Sequence, residues 1–404
     1  MSIQWISNYL PKSDDQYLPL MSIENVQKAM CFHASFPQYA ATPLAALNSL
    51  SRELDIGGLF VKDESYRFGL NAFKVLGASF AMGRYIAQAL HREITETGYS
   101  FLSSSPFRET FGQVTFFAAT DGNHGRSVAW AARQLGQKSV VFMPKGTVKI
   151  RFENIAKEGA QVTLKDVNYD ECVRIAAREA AQTPRGVIIQ DTAWDDYTEI
   201  PNWIMQGYGT MVAETADQLR ALGVERPTHI FVQAGVGSLA AAVLGYYTNL
   251  FSNNTPIFII IEPQAANPLY RSAKAADGFC HFVDGDLQTI MAGLACGEPN
   301  PIAWDILKNH ASFFVSCPDW VTACGMRVLG APVMGDPRII SGESGAVSVG
   351  LITVIMKDER YEPFRKAANL NKHSTVLLFS TEGDTDPENY RRILWEGALP
   401  SGSE

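Results

Sequence analysis

Four stretches of the chain carry groups that chemistry can use. Gln233-Ala234-Gly235-Val236-Gly237-Ser238 follows a strand-like run, 229–233, and opens an Ala-rich helical run, 239–247. Glycines there allow a tight turn and close approach of main-chain N–H groups. The helix N-terminus adds its dipole, so the turn can cradle a phosphate. Gly235, Gly237 and Ala240 also match a dinucleotide fingerprint, and Glu262 ends the next strand, near where a ribose-binding acid would sit. A nicotinamide enzyme is one reading of this turn, and a plain strand-to-helix connection is another.

Thr120-Asp121-Gly122-Asn123-His124-Gly125 also lies between a strand and a helix. Its exposed amides can hold a carboxylate, and Asp121 and His124 are residue types that move protons. Asp and Asn equally favour helix caps and loops. In Asn71-Ala72-Phe73-Lys74 the lysine stands among small and apolar neighbours. A lysine held there loses hydration, and a neutral amine is what a Schiff base needs. The ordinary alternative is a lysine that snorkels to the surface. Ser341-Gly342-Glu343-Ser344-Gly345-Ala346 and Ser380-Thr381-Glu382-Gly383-Asp384 place hydroxyls and carboxylates beside a helix start and after a strand. Open α/β sheets bind ligands at such places.

Other chemistries find no support. The seven histidines are dispersed, with no H-E-x-x-H and no Cys/His cluster at zinc spacing. There is no G-x-x-x-x-G-K-[ST] loop and no G-x-S-x-G elbow. Cys31-Phe32-His33 reads as core rather than ligand.

Elements must position these groups. Strand-like runs at 58–62, 114–119, 139–143, 161–164, 187–190, 229–233, 258–261 and 376–379 alternate with helical segments at 72–90, 125–135, 150–158 and 170–181. Continuous β-branched runs separated by helices indicate parallel strands covered on both faces. The class is α/β, with two open, mostly parallel sheets flanked by helices. One group of strands precedes residue 200 and the other follows 225, with a boundary expected at 223–227. The Ser-rich stretch 95–113 reads as a long loop, and the tail 398–404 as disordered.

The chain has 404 residues, 46% of them apolar and 19% charged. This is a globular composition with enough material for a large core. The net charge of −8 argues against nucleic-acid binding, which needs clustered positive charge. No apolar run approaches the roughly 20 residues that span a bilayer. Asp14 and Asp15 stand where a signal peptide would be apolar, so none is expected. Six cysteines without a C-x-x-C pair suit a reducing cytoplasm.

The order of a lysine, an Asn-containing loop, a Gly-rich turn and a late Ser/Thr strand end resembles the fold-type II pyridoxal-phosphate enzymes, the group of tryptophan synthase β and threonine dehydratase. Within it the chain is most similar to the diaminopropionate ammonia-lyases. The resemblance rests on residues 62–65 with 67–74, 120–126, 190–194, 292–299 and 380–386. It implies pyridoxal 5′-phosphate bound as a Schiff base to Lys74. Main-chain amides of Gly235, Val236, Gly237 and Ser238 would hold its phosphate. Asn123 would bond its 3′-oxygen, and Ser380 or Thr381 its ring nitrogen. Thr120, Asp121, Gly122 and Asn123 would surround the substrate carboxylate, and Asp191 would pair with a substrate ammonium. The family acts on both enantiomers of 2,3-diaminopropionate, giving pyruvate and two ammonia. That implies two bases, Lys74 for one face and Asp121 for the other. A serine/threonine dehydratase is the alternative within the group. The resemblance further implies a homodimer acting on a small amino acid. Residues 1–84 with 225–404 would form a larger cofactor-binding domain, and 85–224 a smaller α/β domain.

Overall fold

A computed structural model describes residues 2–10 and 17–400. Asp14, Asp15 and the end of the tail, 401–404, lie outside the described residues. Eleven strands occur among the described residues: β1 (Gln4–Ser7), β2 (Leu44–Ala46), β3 (Gly58–Asp63), β4 (Thr115–Ala119), β5 (Lys138–Pro144), β6 (Gln161–Lys165), β7 (Gly186–Ile188), β8 (His229–Gln233), β9 (Ile257–Pro263), β10 (Phe313–Cys317) and β11 (Thr375–Ser380). They form two sheets, in the orders β1-β10-β9-β8-β11-β3-β2 and β6-β5-β4-β7. The chain divides into two compact units, one of Met1–Leu18, Thr42–Tyr66 and Val212–Glu404, the other of Pro19–Ala41 and Arg67–Met211.

The first unit holds the seven-stranded sheet. Its inner strands are parallel, and the short edge strands β1 and β2 run antiparallel to their neighbours. Successive residues of a strand point to opposite faces. In β8 and β9, Ile230, Phe231, Val232, Ile259 and Ile260 are all fully buried, so both faces of the sheet are covered. The helix Val347–Lys357 lies on β8 and β11, and Ser238–Leu250 lies on β8. Both helices start after segments that the sequence marks as chemical.

The second unit holds the four-stranded, all-parallel sheet. Cys172, Val173, Ala176 and Ala180 of the helix Tyr169–Gln182 pack with Phe117, Ala119 and Phe142. Ala129 and Ile155 pack with Val141 and Met143. The alternate residues of β5 thus serve two separate clusters, and a helix lies over each.

This grouping differs from the boundaries read off the sequence. Residues 19–41 and 67–84 belong with the four-stranded sheet, and 212–224 with the seven-stranded one. The reason is packing: Val75–Ala89 lies on Asn123–Gln134, and Ile23–Ala34 lies on Val75–Ala89. The division falls inside the long helix Glu199–Ala221 rather than at 223–227. The stretch 95–113 is no plain loop. It contains the helical turns Tyr99–Leu102 and Ser105–Phe111, anchored by buried Leu102 and Phe107. Of Cys31-Phe32-His33, Cys31 is exposed while His33 is a satisfied core residue, bonded to Thr210 Oγ1 at 2.7 Å and Leu76 O at 3.0 Å. None of the six cysteines forms a disulfide. No helix among the described residues is long and apolar enough to cross a membrane.

Candidate active site

In the second unit, Lys74 occupies the N-cap position of Val75–Ala89. The helix starts three residues later than the sequence pattern suggested, after a turn in which Asn71 has φ +62°. Phe73 is buried and packs on Tyr208, with ring centroids 4.7 Å apart. This anchors the backbone from which Lys74 projects. The Lys74 side chain is 18% exposed, and its Nζ donates to Asp191 Oδ2 at 2.5 Å. Lys74 is therefore neither a surface lysine nor an isolated amine in an apolar wall. It has a carboxylate partner 117 positions away in sequence.

Asp191 is held from several sides. The Gln190 side chain accepts from Ala119 N at 3.1 Å and donates to the Tyr169 hydroxyl at 2.6 Å. The Tyr197 hydroxyl accepts from Gln190 N at 2.8 Å and donates to Ile188 O at 3.0 Å. Tyr208 donates to Asp191 Oδ2 at 3.5 Å, and burial pushes its phenol pKa up, so it remains a donor. Burial alone would raise the Asp191 pKa. The charge of Lys74, together with its hydrogen bond, reverses this and brings it down to about 2.

His124 is buried, and burial lowers its pKa. Ring Nε2 lies 2.7 Å from Ile189 O, which can only accept, so Nε2 carries the proton. Nδ1 is then a lone-pair acceptor, with no hydrogen-bond partner among the described residues. A neutral imidazole suits a site already holding a charged pair.

The loop before Asn123–Gln134 is tied to β5. Thr120 N donates to Phe142 O at 3.0 Å, and Gly122 N donates to Thr120 Oγ1 at 2.9 Å. Gly125 lets the helix approach this corner, since a Cβ there would stand 2.3 Å from Thr120 Cγ2. Gly122 is the N-cap, so the cap residue offers no side chain to the first helical amides. Asp121 is half-buried, and its carbonyl accepts from Arg151 Nη1 at 3.5 Å. Asn123 is the first residue of the helix.

In the first unit, the turn at 235–238 joins β8 to Ser238–Leu250. Gly237, the N-cap, has φ +101°, a conformation open to glycine but strained for residues with a Cβ. A Cβ on Gly235 would meet Cys296 Sγ, Gly293 O and Leu294 Cα at 3.1–3.3 Å. The segment 292–299 is thus the rear wall of the turn. Asn300 follows it and donates its main-chain N–H to Val236 O at 2.8 Å. Sequence reasoning passed over Asn300; the only available signal was its place in an Asn-Pro pair at a helix start.

The two C-terminal segments form one network. Ser380 Oγ lies 2.8 Å from Ser341 Oγ. Glu382 accepts from Ser344 N at 2.9 Å and Thr385 Oγ1 at 3.3 Å. Gln233 Nε2 donates to Thr381 Oγ1 and to Phe379 O, both at 2.9 Å. Gly293 N donates to Ser344 Oγ at 3.1 Å, which links this network to the rear wall.

Glu262 is placed otherwise than a ribose acid requires. It is buried, and its two oxygens accept from Leu269 N at 2.9 Å and Tyr270 N at 2.6 Å, at the start of Pro268–Ala275. Both oxygens serve a helix N-terminus, which removes the basis of the nicotinamide reading. Burial pushes the Glu262 pKa up to about 8 against these two bonds.

Each unit by itself carries groups of a kind that suits pyridoxal phosphate. The second has an amine beside a buried carboxylate, and the first has a glycine turn at a helix start without a side-chain cap for a dianion, with strand-end hydroxyls for a weakly basic ring nitrogen. Asp191 offers a separate check. A carboxylate with a lowered pKa stabilises the fold fully above its unfolded pKa of 3.8, and that contribution is lost as pH falls through about 2. The difference in urea midpoint between wild type and Asp191→Asn should stay flat near neutral pH and shrink below about pH 4. A difference that grows on acidification contradicts the pairing.

Residues 36–367 match the model of the family described as pyridoxal-phosphate dependent enzyme. The diaminopropionate ammonia-lyase of Salmonella typhimurium is 49% identical over 371 residues, which cover 92% of this chain and 92% of the relative. The crystal structure of the Escherichia coli diaminopropionate ammonia-lyase in complex with D-serine superimposes with a TM-score of 0.92 at 43% identity, covering 99% of this chain and 98% of the other. The structure of the same enzyme with an aminoacrylate-PLP azomethine reaction intermediate gives a TM-score of 0.90 at 43% identity, covering 98% of both chains.

Proposed function

This chain belongs to the pyridoxal-phosphate-dependent enzymes, in the branch of the diaminopropionate ammonia-lyases, and from that premise we propose that it converts D- and L-2,3-diaminopropionate, with water, to pyruvate and two ammonia. The observation that carries the reading is the Lys74–Asp191 pair at 2.5 Å, beside the loop that holds Asp121 and Asn123. It joins an amine able to bind the cofactor to a buried anion able to bind an ammonium.

Pyridoxal 5′-phosphate, when bound, supplies an electron sink that stabilises negative charge at the substrate Cα. Lys74 would hold it, the amides of Gly235, Val236, Gly237 and Ser238 would take its phosphate, and Asn123 its 3′-oxygen. A hydroxyl of Ser380 or Thr381 would meet its ring nitrogen. A hydroxyl does not favour protonation there, which suits elimination over transamination.

The remaining chemistry belongs to side chains. Thr120, Asp121, Gly122 and Asn123 surround the substrate carboxylate. A substrate ammonium takes the place of the Lys74 ammonium as counter-ion of Asp191, and a positive charge beside this buried carboxylate is what favours its ionised form. Lys74 takes the Cα proton of one enantiomer and Asp121 that of the other, and the β-nitrogen departs as ammonia. Family resemblance supports a homodimer, and six cysteines without a disulfide support a reducing, cytoplasmic setting. Pyruvate formation from diaminopropionate, compared with serine at equal concentration, tests the reading. Faster turnover of diaminopropionate is expected, whereas serine as the better substrate would favour a dehydratase.

The phosphate assignment has its own test. Gly237→Val puts a β-branched residue at φ +101°, with its Cβ 3.2 Å from Ala303 Cβ. Left-handed backbone costs a non-glycine residue roughly 1–2 kcal/mol, so cofactor affinity should fall by about tenfold or more. Unchanged cofactor retention would count against the turn.

A further inference from the structure

We infer that Asn300 is a positioning residue for the phosphate turn, and that it does so by fixing the Ser238 side chain in place. The inference rests on the cofactor reading above and adds a residue to it. Asn300 is fully buried and makes three directed contacts around the turn. Its main-chain N–H donates to Val236 O at 2.8 Å. Its side-chain Nδ2 donates to Ser238 Oγ at 2.8 Å. Its Oδ1 accepts from Ile302 N at 3.0 Å, capping Pro301–His310.

The third contact fixes the sense of the second. A main-chain N–H can only donate, so the amide oxygen must face Ile302 and the amide nitrogen must face Ser238. Ser238 Oγ therefore accepts from Asn300, and its own proton is directed away from that amide. The oxygen so held belongs to the first residue of a helix whose N-cap is glycine, where main-chain N–H groups face an anion. The wall behind it is rigid: Ala303 and Leu307 of the same helix stand 3.2 and 3.4 Å from the Cβ position of Gly237. Asn300 thus couples the start of Pro301–His310 to the phosphate turn.

Serine, aspartate and asparagine cap helices about equally well. Asn300→Ser therefore keeps the cap and removes the amide donor. Asn300→Asp keeps the cap and replaces the donor with a carboxylate. Cofactor dissociation from the holoenzyme, followed by its absorbance on dilution, gives the readout, and a thermal melt of each variant reports folding. Asn300→Ser should hold cofactor about tenfold more weakly, as for one neutral hydrogen bond left unmade, with its melting temperature retained. Asn300→Asp should lose more, through repulsion of the phosphate dianion. In a Ser238→Ala background, Asn300→Ser should add little, because its effect passes through that hydroxyl. Wild-type affinity in Asn300→Ser overturns the inference, as does a tenfold loss that persists unchanged in the Ser238→Ala background. A wild-type protein that binds no pyridoxal phosphate fails the cofactor reading itself, a different result from either.

Discussion

Lys74→Ala should abolish turnover while leaving the fold intact. Its Nζ lies 2.5 Å from Asp191 Oδ2, and the resemblance assigns it the cofactor. Removing it deletes the covalent tether and one of the two bases at once. The loss should exceed the roughly 10²–10⁴-fold that a missing general base alone produces. Cofactor can still be held through the phosphate turn, so absorbance of bound cofactor should persist in altered form. Borohydride reduction of wild type, followed by peptide mapping, should label Lys74. The informative competitor is Lys62, which is fully buried. Its Nζ donates to Glu214 at 2.8 Å, Thr42 O at 2.7 Å and Gln218 at 2.9 Å. All three of its donors are used within the fold, so a label on Lys62 would overturn the assignment.

Asp121→Asn should slow one enantiomer far more than the other. The Cα–H bond to be broken stands on opposite faces for the two isomers, and a tethered lysine cannot readily serve both. Asp121 lies in the loop proposed for the substrate carboxylate, half-buried and fixed through Gly122 and Thr120. Asparagine keeps the shape and removes the basicity. We expect a loss of about 10²–10⁴-fold with D-diaminopropionate and a much smaller loss with the L-isomer, for which Lys74 is the base. The bland alternative is an Asp that only orders the loop. Equal losses in kcat for both isomers would support that alternative and sink the two-base proposal.

Much of this was legible in the chain because burial on two faces leaves a local signature. The runs that became β3, β4, β5, β8, β9 and β11 are continuously apolar through their middles, as strands inside a covered sheet must be. The inner strand β10 was passed over despite its apolar run Phe313-Phe314-Val315, and the edge strands β1 and β2 escaped notice. They are three or four residues long and largely half-buried, and they exist through pairing with β10 and β3 rather than through their own pattern. Long-range pairing was equally silent: nothing near Lys74 in sequence announces Asp191. Glu262 shows the opposite failure. Its position after a strand was right for a ribose acid, yet its oxygens belong to the helix that begins at Pro268. Spacing identifies where a carboxylate stands, and the remaining hydrogen bonds decide what it can still do.

The most direct test of the function is the ratio of ammonia to pyruvate formed by the purified enzyme with pyridoxal phosphate, measured separately on D- and L-2,3-diaminopropionate. Elimination of the β-amino group followed by hydrolysis predicts two ammonia for each pyruvate from either isomer. Absence of pyruvate from both isomers, or one ammonia per pyruvate, would contradict it.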